Sequence, residues 1–137
     1  MKFLLDASAV VELIRILDEE RTLRLLSENS VLDLTKYEVG NAIWKELVLQ
    51  KAIQEKEFEE FLSLLRSIIS RTNALSIDDT TLLEVGQLAS KEKITFYDAS
   101  YITIAEARNL TFVTEDRKLH RVASKHIKTT ASKEIAP

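Results

Sequence analysis

Apolar and polar positions follow one another along this chain in short runs whose period keeps changing. Phe3, Leu4 and Leu5 form a continuous apolar run, the pattern of a strand buried on both faces. Over residues 8–16 the apolar positions Ala9, Val10, Leu13 and Ile14 recur at helical spacing. Residues 18–27 predict a second helix, with Leu23 and Leu26 one turn apart, and residues 30–34 a short strand. The longest periodic segment is 36–51, where Val39, Ile43, Trp44, Leu47 and Val48 predict a single helix with Trp44 in the core. Residues 55–71 predict another amphipathic helix, with Phe58, Phe61, Leu62, Leu65 and Ile69 on its stripe. A strand follows at 74–77, then a helix carrying Leu82, Val85 and Leu88 with Asp78 as its N-cap. Residues 97–108 predict a helix that Asn109 ends in the left-handed conformation. A β-rich strand at 110–114, a short helix at 116–123, a last strand at 127–129 and a polar tail complete the chain.

Strands alternate with helices throughout, an order that predicts an α/β fold with a central parallel sheet of four to five strands flanked by helices. The 137 residues form one expected domain, 1–137, because two Gly and one Pro leave no linker and no repeat recurs at fixed period. No run approaches the ~20 apolar residues of a membrane span, and the N-terminus lacks the basic and small-residue flanks of a signal peptide. Without Cys, disulfides and thiolate metal sites are excluded. The expectation is a soluble, cytoplasmic protein. A net charge of −3 and a pI near 5.5 argue against gripping nucleic acid by bulk charge, so any such contact falls to local Lys and Arg.

Parallel α/β sheets bind ligands at the carboxyl ends of their strands, and four acids sit near such junctions. Asp6 ends the first strand, Glu38 lies one turn into the helix after the second, and Asp116 follows the 110–114 strand. Asp98 lies in the first turn of the helix before that strand. If these junctions open on one edge, four carboxylates meet. Two unit charges about 5 Å apart repel by roughly 3 kcal/mol at an effective dielectric near 20. A divalent cation removes that cost, and hard oxygen donors suit Mg²⁺ or Mn²⁺. Ions so held hydrolyse phosphodiesters. Capping explains the same residues in another way. Thr35-x-x-Glu38 and Thr95-x-x-Asp98 have the form of capping boxes, Asp116 suits an N-cap, and Asp6 or Ser8 suits the cap of the first helix. His120 and His126 lack the spacing of a metal pair. Lys36, Lys45, Arg117, Lys118 and Arg121 lie near the proposed cleft, either as phosphate contacts or as solvated charges. No P-loop, dinucleotide fingerprint or nucleophile elbow is present.

Four stretches, "FLLDASAVVEL", "TKYEVGNAI", "TFYDASYITIAEA" and "LTFVTEDRKL", together resemble the PIN-domain ribonucleases, in size and layout the VapC toxins of toxin–antitoxin pairs. The resemblance spans nearly the whole chain. It implies a Mg²⁺- or Mn²⁺-dependent endoribonuclease with RNA as substrate, and it matches Asp6, Glu38, Asp98 and Asp116 to the family's acidic quartet. It makes Asp6, Asp98 and Asp116 metal ligands, with the hydroxyls of Ser8 and Thr114 in support. It also implies a homodimer and a cognate antitoxin whose tail blocks the cleft. The dimer has a second motive in Phe58, Phe61 and Leu65, an apolar surplus for one small core. Two departures stand out: Asn109 replaces a common Gly, and Glu115 adds an acid beside Asp116. The rival readings are a non-catalytic PIN scaffold that binds a protein or RNA, and a receiver domain. The latter needs an Asp after a third strand in mid-chain, where this sequence predicts a helix.

Overall fold

Leu4 and Leu5 are both fully buried, on opposite faces of one sheet. The same alternation holds for Leu32 and Val31, and for Phe112 and Val113, as the two-residue period of a strand requires. The computed structural model describes residues 2–137. In chain order its elements are β1 (Phe3–Leu5), α1 (Ala7–Ile16), α2 (Glu19–Ser27), β2 (Ser30–Leu32), α3 (Thr35–Trp44) and α4 (Glu55–Ile69). They continue with β3 (Asn73–Leu75), α5 (Leu82–Glu92), α6 (Phe96–Ala107), β4 (Thr111–Val113), α7 (Arg117–Ser124), β5 (Thr129–Thr130) and α8 (Ser132–Ile135). All strand pairs are parallel, in the order β3-β2-β1-β4-β5. On one face, Leu13, Leu26, Val39 and Ile68 from α1–α4 pack against the sheet. On the other, Tyr101, Ile102, Leu119 and Ala123 from α6 and α7 do so, with Tyr101 stacked on Phe112 at a centroid distance of 5.7 Å. The α/β sandwich expected from the sequence is therefore present, with five strands.

The strand order fixes where a ligand can sit. The chain winds outward from β1 through β2 to β3, then crosses back to place β4 on the other side of β1. The carboxyl ends of β1 and β4 flank that switch point, where open α/β sheets leave a crevice. Asp6 directly follows β1, and Asp116 follows β4 by three residues.

Several expectations need correction. The helix predicted over 36–51 is α only to Trp44, and Lys45–Leu49 continue it as a π-helical turn. The wider turn rotates the later positions away from the α stripe. Val48, within that turn, is 44% exposed; Trp44, still in the α part beside buried Ile43, is 42% exposed, so Trp44 is no core residue. Asp78 does not cap α5. Its Oδ1 accepts from the N–H groups of Thr80 and Thr81, in the turn before that helix. The supposed polar tail carries α8, whose Ser132 is buried and whose Ile135 packs on the α1–α4 side of the core. Leu65 is buried, and Phe61 packs on the same cluster, so the stripe of α4 covers its own sheet and argues nothing for a dimer. Asn109 does end α6 with φ of 54°, the left-handed conformation that Asn tolerates better than most residues.

Candidate active site

Asp6 is a buried acid tied down by three donors. Its Oδ1 accepts from the Ala9 N–H at 2.9 Å, which caps α1, and from the Ser8 hydroxyl at 2.6 Å. Its Oδ2 accepts from the Thr114 hydroxyl at 2.5 Å. The Thr114 oxygen in turn accepts from the Asp116 N–H at 3.1 Å, and the Ser8 oxygen from the Glu115 N–H at 2.9 Å. Two hydroxyls thus clasp the end of β1 to the end of β4 and fix the backbone that carries Asp116. Asp116 caps α7 by accepting from the Leu119 N–H at 3.0 Å.

Glu38 reaches the site from α3 by another route. Its Oε1 accepts from the Tyr101 hydroxyl at 2.7 Å, and Tyr101 lies 2.7 Å from the Thr35 hydroxyl. Thr35 accepts from the Leu32 N–H at 3.0 Å. With its own proton given to Glu38, Tyr101 must accept from Thr35, so the chain of donors runs one way from β2 to the carboxylate. This disposes of the capping reading for Glu38. The N-cap position is Leu34, and the Thr35 side chain is turned toward β2 and Tyr101. Thr95 does cap α6 through the Asp98 N–H at 3.0 Å.

The carboxylates disturb one another in series. Burial pushes Asp6 up to about 6, against the three donors, and the charge of Glu38 adds to the rise. Glu38 is itself raised by burial and by the charge of Asp98, with the Tyr101 hydrogen bond opposing. Asp98 is raised by burial and by the charge of Asp116, while Thr95 and Lys118 oppose. For Asp6, burial outweighs crowding by the neighbouring acids. Of the two caps the sequence offers for the first helix, Asp6 or Ser8, the structure uses Asp6. Among the described residues none of the four acids forms an ion pair.

The donor set suits a hard cation: carboxylates flanked by hydroxyls, with no soft ligand and no paired base. Among the described residues no three acidic or His side chains are grouped closely enough to enclose one ion. A cation such as Mg²⁺, which keeps several waters, would take one or two of the carboxylates directly. Glu115 is engaged elsewhere, its Oε2 accepting from the Ser132 N–H at 3.2 Å, so Asp116 is the acid joined to Thr114 and Asp6. His126 faces Glu92 at 3.3 Å, and His120 bonds Ser124 within α7; neither joins the acids. Thr35 and Tyr101 went unread as site residues. The signal was present, since each lies one turn from an acid on its own helix, Thr35 from Glu38 and Tyr101 from Asp98.

The PIN domain family model matches residues 3–125. Exonuclease VapC9 of Pyrobaculum aerophilum is 35% identical over 119 residues, covering 87% of this chain and 84% of the relative. Ribonuclease VapC3 of the same organism is 32% identical over 123 residues, covering 87% and 92%. The crystal structure of PAE2754, also from Pyrobaculum aerophilum, superposes with a TM-score of 0.78 at 30% identity, covering 99% of this chain and 94% of that one.

The raised pKa of Asp6 makes a prediction for the metal-free protein. The folded state holds this proton more tightly than the unfolded chain, whose value is 3.8. The resulting stability is complete below that value and lost as pH climbs through about 6. At about 1.4 kcal/mol per unit the loss is on the order of 3 kcal/mol. Asp6→Asn abolishes this component, whatever its hydrogen bonds cost at constant pH. In chelator, the stability of Asp6→Asn relative to wild type should rise by about 2–3 kcal/mol between pH 4 and pH 7. Denaturant melts at the two pH values measure it, and parallel pH curves for the two proteins would refute the assignment.

Proposed function

The chain belongs to the PIN-domain family, and from that premise we propose that it is a divalent-metal-dependent endoribonuclease, the toxin of a toxin–antitoxin pair. The relatives named exonuclease and ribonuclease support nuclease chemistry. The observation that carries the reading is the set of acids at the β1–β4 switch point. Asp6, Glu38 and Asp98 are all held above their ordinary pKa, and among the described residues none forms an ion pair. Two opposed helix caps and a clasp of hydroxyls hold charge there at a cost that folding alone does not require.

Asp6, Asp98 and Asp116 are the residues that would hold Mg²⁺ or Mn²⁺, one or two directly and the rest through the waters the ion keeps. When bound, such an ion neutralises charge on the phosphate and makes water a better nucleophile. Ser8 and Thr114 keep both oxygens of Asp6 aimed by donating to them. Glu38 holds one oxygen toward Tyr101 and keeps the other to accept a proton from water, a task suited to a carboxylate whose pKa is raised. A tail that supplies a cation to this cleft would both mask the acids and bar the substrate, which is the role the reading gives the antitoxin. No helix among the described residues is long and apolar enough to cross a membrane.

A homodimer belongs to the same reading, on a different surface from the one first considered. Leu82 and Leu83, 52% and 70% exposed, lie on the outer face of α5.

Purified protein should cleave single-stranded RNA with Mg²⁺ or Mn²⁺ and stop in excess chelator. Asp98→Asn and Asp116→Asn should each slow cleavage at least ~100-fold, since a lost ligand removes several kcal/mol of charge stabilisation. Full activity in chelator, or in either variant, would contradict the mechanism. Light scattering at micromolar concentration should give twice the chain mass of 15.6 kDa. A value equal to the chain mass would remove the dimer.

A further inference from the structure

Two cavities lie on either side of the acids, and their charges differ. One, of about 580 Å³, runs from Ser8 and Glu38 between α1 and α3, and its cations are Arg15 and Lys45. Arg15 is already paired with Glu46 inside that cavity, Glu12 lines it too, and Glu115 stands between the two cavities and lines both. The other, of about 510 Å³, opens beside Thr114 and Asp116 and is lined by Arg117, Arg121 and Lys133. Among the described residues none of these three cations forms an ion pair.

The second arrangement is unusual for an acidic chain of net charge −3. Arg117 and Arg121 stand four residues apart on α7, where like charges repel at a cost of a few tenths of a kcal/mol. The opposite face of α7 is committed to the core through Leu119 and Ala123, so the arginines have no inward alternative. Lys133 comes from a different element. It is brought to the cavity by α8, which the Ser132 N–H anchors on Glu115 and the Ser132 hydroxyl on the Ala9 carbonyl at 3.4 Å. Three unpaired cations from two elements, on a wall shared with Asp116, form a receptor for anions that is absent from the other cavity.

We infer that this cavity seats phosphates of a single-stranded polynucleotide flanking the scissile bond, on one side of the acids only. The inference rests on the ribonuclease reading, and it assigns Arg117, Arg121 and Lys133 to substrate binding. A strand lying across the acids is gripped electrostatically on the α7–α8 side, while the α1–α3 side offers it no free cation except Lys45. Substrate length on the gripped side then governs affinity, and length on the other side does not.

The test uses the full chain with Arg117→Gln, Arg121→Gln and Lys133→Gln combined, and Arg15→Gln with Lys45→Gln as the control for the other cavity. Binding of a labelled single-stranded RNA of about ten nucleotides is followed in chelator across a range of NaCl. Each phosphate neutralised adds about 0.7 to the steepness of log affinity against log salt. The triple variant should lose about 2 of that slope and at least about tenfold in affinity at ~0.1 M salt, while the control keeps the wild-type slope. With metal present, the triple variant should lose a similar factor in kcat/KM on the long RNA, yet stay within about twofold of wild type on a dinucleoside monophosphate, which has no flanking phosphate. An unchanged slope, an equal loss in the control, or an equal loss on both substrates would overturn the inference. RNA binding with the expected slopes but no cleavage by wild type would sink the nuclease reading and leave the phosphate seat standing.

Discussion

The hydroxyl clasp between β1 and β4 is the interaction on which the site depends. A strand of three residues carries little packing of its own, and β1 and β4 are each that short. Asp6 and Thr114 leave these strands side by side, and the Thr114 proton given to Asp6 locks the two exits together. Ser8 repeats the tie from the first turn of α1. Without the two hydroxyls a carboxylate at that depth would have only a single backbone donor, and burial of an unpaired acid is costly. With them the acid is positioned, yet its pKa remains raised. The donors therefore orient the charge without cancelling the cost of burying it.

That residual cost gives the site its character. Asp6 feels Glu38, Glu38 feels Asp98, and Asp98 feels Asp116, so the acids form one electrostatic unit although three helices and a strand end supply them. Three of them are anchored by something that does not neutralise them: helix N-termini for Asp6 and Asp116, and Tyr101 for Glu38. Structural carboxylates elsewhere on this chain have their charge met, Asp18 by Arg21, Glu92 by Lys125 and Asp78 by the donors of its own turn, and all three have lowered pKa values. The contrast between those satisfied acids and Asp6, Glu38 and Asp98, whose pKa values are raised, separates chemistry from architecture here. The two flanking cavities extend it outward, one with Arg15 paired and only Lys45 free, the other with three cations free.

Much of this was legible in the sequence because it depends on local pattern. The run Phe3–Leu5, the alternation of strand and helix signals, and Asn109 at the end of α6 all reflect short-range rules, and the sheet follows from them. The positions of the four acids after strands or in first helical turns were likewise readable. What escaped depends on tertiary contacts. A π-helical turn after Trp44 shifts the stripe, and no local rule announces it. The α8 segment reads as polar because its fold is specified by Ser132 on Glu115 and Ala9, partners far away in sequence. Thr35 resembles half of a capping box, but a hydroxyl that can turn either way was claimed by Tyr101, 66 residues distant. The same contact moved Glu38 from a capping role to one in the cleft.

The central claim is that Asp6 is a buried acid held ready for a cation. The most direct measurement is the titration of its side-chain carboxyl carbon by ¹³C NMR, with and without Mg²⁺. The account predicts a pKa near 6 in chelator and a fall well below the ordinary carboxylate value when Mg²⁺ is added, because the ion stabilises the charged form. A midpoint at the ordinary value in chelator, or one that Mg²⁺ leaves unmoved, would contradict it.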